Sequence, residues 1–132
     1  MYGSRRSYGV PDYFRQANDE TVVIVLIEEI DAVNNLAEIL AVDHIDVFFV
    51  APSDLAQTMG HTGDIQHPDV QATIDRAIKQ IVDAGRNAGT LTNEENLDRY
   101  LDMGVTFTLT SWLLWAARGA IAYRDALGSR AR

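Results

Sequence analysis

VFFVAPSDLAQTMG, residues 47–60, is the stretch on which the fold turns. Five apolar residues, Val47 to Ala51, run into Pro52, and a lone carboxylate, Asp54, follows two residues later. A continuous β-branched and aromatic run is the pattern of a strand buried on both faces, as in a parallel sheet. In parallel α/β architectures, sites gather at the carboxyl ends of strands. An acid at the mouth of this turn is therefore a candidate ligand for something held above the sheet.

Upstream, residues 1–10 carry Gly, Ser, Arg and Tyr and read as an irregular N-terminus. Pro11 opens a short helical stretch. TVVIVLI, residues 21–27, is a second strand of the buried parallel type and ends at Glu28-Glu29. From Asp31, the residues Ala32, Val33, Leu36, Ile39 and Leu40 repeat at helical spacing and predict an amphipathic helix over 31–41. Downstream, a loop with Gly60 and Gly63 leads to His67-Pro68-Asp69, where Pro68 starts a helix running to Ala84, with Gly85 as its C-cap. Gly89-Thr90-Leu91 is weakly strand-like. Thr92 and Glu95 fit a capping box opening a helix over Glu94–Met103, which Gly104 ends. Val105–Thr110 predicts a strand. Ser111 then caps a last helix, with Leu113, Leu114, Ala117, Ala120 and Ile121 on one side and Gly128 after it.

The order is a short helix followed by βαβαβαβα. Strands alternating with helices imply a parallel sheet with right-handed crossovers. Within 132 residues this is one domain, 1–132, and either a small open α/β sheet or half of a (β/α)8 barrel.

Composition narrows the function. The net charge of −8 argues against a nucleic-acid partner, which needs clustered Lys and Arg. The longest aliphatic run, Val22–Ile27, is far short of a membrane span, and the N-terminus lacks the apolar core of a signal peptide. The chain has no cysteine, which excludes disulfides and thiolate metal sites and fits a cytoplasmic location. No P-loop, no G-x-G-x-x-G and no Ser-His-Asp order is present.

What remains is a pair of acids. Glu28 ends the first strand and Asp54 follows the second. The two strands belong to one βαβ unit, and paired strands lie about 4.8 Å apart. Two carboxylates with open coordination positions suit Mg²⁺ or Mn²⁺. Asp54 equally suits a turn cap, and Glu28 a first-turn acid favoured by the helix dipole. Of the histidines, His44 precedes a strand, at the wrong end for a site. His61 follows Asp54 in the Gly-rich loop and can approach a ligand, and His67 suits a helix cap. Trp112 and Trp115 read as packing or interface residues.

Residues 23–75, VIVLIEEIDAVNNLAEILAVDHIDVFFVAPSDLAQTMGHTGDIQHPDVQATID, resemble the C-terminal part of the HpcH/HpaI aldolase family, the metal-dependent (class II) pyruvate aldolases of the 2,4-dihydroxyhept-2-ene-1,7-dioate aldolase type. The resemblance rests on an apolar strand ending in Glu, then A-V-x-N-L-x-x-I-L, I-D-V-x-F-x-x-P-x-D-L, M-G and H-P-x-V-Q. It runs more loosely from Tyr13 to Leu127. It implies the second half of a (β/α)8 barrel; four parallel strands leave two open edges, which dimerisation or a complementary half-barrel chain would cover. It places the metal ligands on Glu28 and Asp54, with Mg²⁺ or Mn²⁺ as the ion and Co²⁺ as a third candidate, and places pyruvate against Ala51, Ser53 and Leu91. The implied activity is that of an aldehyde-lyase. Carbon–carbon bonds between a 2-oxo acid such as pyruvate and an aldehyde are cleaved reversibly through an enolate that the metal stabilises. The alternative is a non-catalytic relative serving as a metal-binding or assembly module. Two departures stand out. Ala51 replaces the usual glycine, and its methyl group narrows the pocket. The family's proton-transferring His and enolate-supporting Arg belong to the first half, so no catalytic acid–base residue is identifiable in this chain.

Overall fold

A computed structural model of the protein describes Gly9 and residues 11–130, with side chains through residue 128. The irregular N-terminus, except Gly9, lies outside the described residues. Helix α1 (Tyr13–Glu20) leads into β1 (Ile24–Ile27), α2 (Ile30–Asn34) and α3 (Leu36–Leu40). Then come β2 (Val47–Val50), α4 (Pro52–Thr58), α5 (Pro68–Asp83), β3 (Ala88–Leu91), α6 (Leu97–Asp102), β4 (Val105–Leu109) and α7 (Trp112–Arg130).

The four strands form one sheet in the order β1-β2-β3-β4, and every pairing is parallel. This order decides between the two architectures that periodicity leaves open. A doubly wound sheet reverses its strand order at a switch point and takes helices on both faces. A sheet whose spatial order equals its sequence order keeps every right-handed crossover on one face, as in a barrel wall. The chain is the second: an α/β half-barrel.

Strand register shows which residues share a face. Ile27, Phe48, Val50, Ala88 and Val105 point toward the helices and join Val33, Leu36, Leu55, Ile74, Ile78, Ile81 and Tyr100 in one core. Leu26, Phe49, Gly89 and Phe107 form a row on the opposite face, the one a barrel turns inward. Phe49 and Phe107 meet edge to face at 6.3 Å across Gly89. The middle of the row is thereby covered, with Phe49 buried, while Leu26 stays 54% exposed.

Several expectations change. The run 21–27 does not form a strand buried on both faces. Only Ile24–Ile27 pair, as an edge strand with Ile24 and Leu26 exposed, because no described element covers their face. Over 31–41 the helix divides at Asn35 (φ −99, ψ 14), although Val33, Leu36 and Leu40 still bury one continuous stripe. The Thr92–Glu95 capping box does not form. Thr92 is drawn into the sheet, its N–H donating to the Leu109 carbonyl at 2.8 Å. The turn closes instead through Asn93 Oδ1, which accepts from the Glu95 and Asn96 N–H groups, and Asn96 Oδ1, which accepts from the Asn93 N–H. Helix α6 accordingly starts at Leu97. The last helix does not bury the side that holds Leu113, Leu114 and Ile121. Residues 112–128 are exposed throughout, and α7 continues past Gly128 to Arg130. Side chains tie it to the body through Trp115 Nε1, which donates to Glu94 Oε1, and through the Arg118–Glu94 ion pair, both at 2.9 Å. No described helix is long and apolar enough to cross a membrane.

Candidate metal and substrate site at the strand ends

The carboxyl ends of β1 and β2 are level. Ile27 pairs with Val50, and the Ala51 N–H donates to the Ile27 carbonyl at 3.1 Å. Side chains alternate along a strand, so Glu28, the residue after helix-facing Ile27, continues onto the inner face. Thr58 holds this corner: its hydroxyl receives the Ile30 N–H at 3.1 Å and donates to the Leu55 carbonyl at 3.0 Å. The turn after β2 is not a loop but helix α4, with Pro52 at its first position and Asp54 in its first turn. Asp54 does not cap it. The N-cap is Ala51, and no side chain accepts there.

Glu28 is half-buried and Asp54 exposed. Among the described residues, neither carboxylate has a hydrogen-bond or ion-pair partner. Two hard oxygen donors left free at adjacent strand ends fit a divalent cation. Ala51 sits in ordinary extended backbone (φ −99, ψ 102) and is buried, so its alanine carries no strain.

Ser53 and Leu91 come together across a cleft of about 220 Å³ between α4, the loop before α5, and the β3–α6 turn. Asn93, Asn96, Gln71 and Tyr100 complete much of the wall. Among the described residues, no side chain lining it carries a formal charge at neutral pH. Burial raises the Tyr100 phenol above its ordinary value, with the Arg99 charge opposing and Asp75 reinforcing, so the ring keeps its proton. Glu28, Ala51 and Asp54 are outside this lining, so the five expected site residues form two neighbouring groups along α4 and the strand ends.

Sequence reasoning missed the amide-rich wall. The N-x-x-N spacing of Asn93 and Asn96 is its one visible signal, and the capping-box reading obscured it. His67 fulfils its expected cap role: its Nδ1 accepts the Asp69 N–H at 3.2 Å. His44 lies at the amino-terminal end of the sheet, by Asp46, as expected.

Residues 5–111 match the family model described as HpcH/HpaI aldolase/citrate lyase. The chain is 50% identical over 99 residues to a 4-hydroxy-2-oxo-heptane-1,7-dioate aldolase of Klebsiella pneumoniae, covering 74% of this chain and 37% of that protein. It is 44% identical over 119 residues to the Shigella sonnei protein of the same name, covering 87% and 45%. The chain therefore spans less than half the length of these curated relatives. Among solved structures, an HpcH/HpaI aldolase/citrate lyase family protein from Burkholderia cenocepacia superposes with a TM-score of 0.76 at 33% identity, over 92% of this chain and 47% of that one. The citrate synthase SbnG shares the fold, with a TM-score of 0.77 at 21% identity over 91% of this chain and 50% of that one.

Proposed function

The chain belongs to the HpcH/HpaI aldolase/citrate lyase family, and from that premise we propose that it supplies the metal- and 2-oxo-acid-binding half of an aldolase-type lyase site. The observation that carries this reading is the pair of unpartnered carboxylates at level, adjacent strand ends. Glu28 and Asp54 hold the ion, Mg²⁺ or Mn²⁺ by their all-oxygen chemistry, with Co²⁺ as a third candidate. When bound, the ion supplies Lewis-acid polarisation of the oxygens of a 2-oxo acid such as pyruvate.

The chain's own residues bind and orient the substrate. The Ser53 hydroxyl offers a donor at the start of α4, where the helix dipole favours a carboxylate. Leu91 and the Ala51 methyl supply apolar contact for the carbon chain. The reaction is reversible: the bond between C3 and C4 of a 4-hydroxy-2-oxo acid breaks, the C4 hydroxyl gives up its proton to form an aldehyde, and C3 takes a proton. The groups that move these protons are not among these residues, so a complementary half-barrel supplies them; a second copy would cover the sheet edges but brings no such group. The open edges support that partner. Among the described residues, β1 and β4 each pair with one neighbour only, and Leu26 and Leu109 are exposed on the inward face.

Solvent exchange of the pyruvate methyl protons in the presence of Mn²⁺ tests the reading. Exchange that Glu28→Gln abolishes supports the lyase half. A folded, Mn²⁺-binding chain with no exchange supports the second reading, a non-catalytic metal-binding or assembly module. Light scattering at micromolar concentration tests self-closure, and a clean monomer excludes it.

A further inference from the structure

The loop joining α4 to α5 is folded to bring two imidazoles together. Gly60 (φ +84) and Gly63 (φ +80) take left-handed backbone. The His61 N–H closes back on the Ala56 carbonyl at 2.8 Å, and the Asp64 N–H on the His61 carbonyl at 2.9 Å. At the far end, Pro68 starts α5, and Gln71 Nε2 donates to the Ile65 carbonyl at 2.8 Å. The result is that the His61 and His67 rings stack, with centroids 3.6 Å apart and planes 20° from parallel. Asp69 Oδ2 lies 3.8 Å from His67 Nδ1. One donor atom from each of His61, His67 and Asp69 falls within 4.8 Å of the other two.

We propose that His61, His67 and Asp69 form a cation site of their own, taking a borderline divalent ion of the Zn²⁺ class. Tetrahedral ligands about 2.1 Å from such an ion stand about 3.4 Å apart, inside the 4.8 Å that bounds these donors. Imidazole lone pairs lie in the ring plane, so an ion cannot lie in the planes of both rings while they are stacked. His67 Nδ1 is committed to the Asp69 N–H of its helix cap, so Nε2 is the donor it offers, and His61 is the ring that turns. It is half-exposed on a loop. Two imidazoles with one carboxylate favour Zn²⁺, Co²⁺ or Ni²⁺ over the hard ions suited to Glu28 and Asp54. The site shares no residue with that pair. It adjoins the cleft, because Ile65 and Gln66 of the same loop form part of the cleft wall. An ion bridging His61 to the start of α5 therefore braces that wall.

The test uses the untagged full chain carrying Glu28→Gln and Asp54→Asn, which removes the all-oxygen pair. Co²⁺ is titrated by visible absorption and Zn²⁺ by calorimetry. One equivalent is expected, with Zn²⁺ displacing Co²⁺. Adding His61→Phe keeps a ring in the stack but removes the donor, and is expected to weaken both ions about tenfold or more. Should that variant fail to fold, the wild-type histidine resonances decide: Zn²⁺ shifts those of both His61 and His67. No binding in the Glu28→Gln/Asp54→Asn chain, unchanged binding with His61→Phe, or unmoved resonances overturns the proposal and leaves a helix cap stacked on a loop histidine.

Discussion

The Ala51 N–H donates to the Ile27 carbonyl at 3.1 Å, so the residues that follow β1 and β2 leave the sheet at the same level. Glu28 and the first turn of α4 start from this bond. If the two acids share an ion, Glu28→Gln and Asp54→Asn each weaken Mn²⁺ binding about tenfold or more. Neither side chain is part of the core, so circular dichroism stays unchanged. Calorimetry checks the affinity. Full affinity in both variants removes the pair from the site.

Gly89 predicts a stability change of unexpected sign. Replacing glycine by alanine in a strand ordinarily helps. Here a Cβ would stand 2.8 Å from Phe49 Cδ2, 3.0 Å from Val47 Cγ1 and 3.2 Å from the Phe107 carbonyl oxygen. Gly89→Ala should therefore destabilise by about 1–3 kcal/mol through overpacking, read as a lower urea midpoint.

Arg86 fastens the α3–β2 connection. Its guanidinium donates to the carbonyls of Leu40 (2.7 Å), Val42 (3.1 Å) and Ile45 (3.0 Å) and lies 4.8 Å from the Phe48 ring centre. Arg86→Ala leaves the part-buried Leu40 and Ile45 carbonyls without this donor, while Val42 turns to water, and should cost about 1–3 kcal/mol. Arg86→Lys should recover only part of this, because an ammonium cannot reproduce the fork. Equilibrium denaturation of both variants gives the comparison.

The attachment of α7 should fail in acid. The Glu94 carboxyl is held below its ordinary 4.5 by a backbone hydrogen bond first, with burial opposing it, and then by hydrogen bonds from Trp115 and Arg118 and the Arg118 charge. A depressed folded-state value means that the stabilisation is present above 4.5 and lost as pH falls through the lower folded value. Trp115 fluorescence should therefore change below pH 4.5, not near neutrality. Glu94→Gln should show no such acid transition.

The alternation of strands and helices, the helix start at Pro68 and the stop at Gly85 were all legible along the chain, because each depends on residues close in sequence. Gly85 (φ +70) closes α5 through the Arg86 N–H to the Ile81 carbonyl at 3.1 Å, as glycine after a helix does. Elements failed where a distant partner won. Thr92 looked like a cap but bonds to Leu109 across the sheet. Leu26 looked buried on both sides but lies on an edge. The apolar residues of α7 looked like a core stripe, yet no described element lies over them.

The candidate site divides the same way. Acids after two neighbouring strands can be named from the order of residues, because a parallel sheet puts every strand's carboxyl end on one side. The cleft wall cannot be, since Ser53 meets Leu91 and Asn93 only when β2 and β3 pair. Nor can the histidine stack, which two left-handed glycines and a proline-started helix close across six residues. By itself the sequence determined the local periods, the family and the chemistry of its acids. Only the tertiary structure decided that the sheet winds one way, with its connecting helices on one face, because strand order depends on pairing between segments that periodicity treats alike.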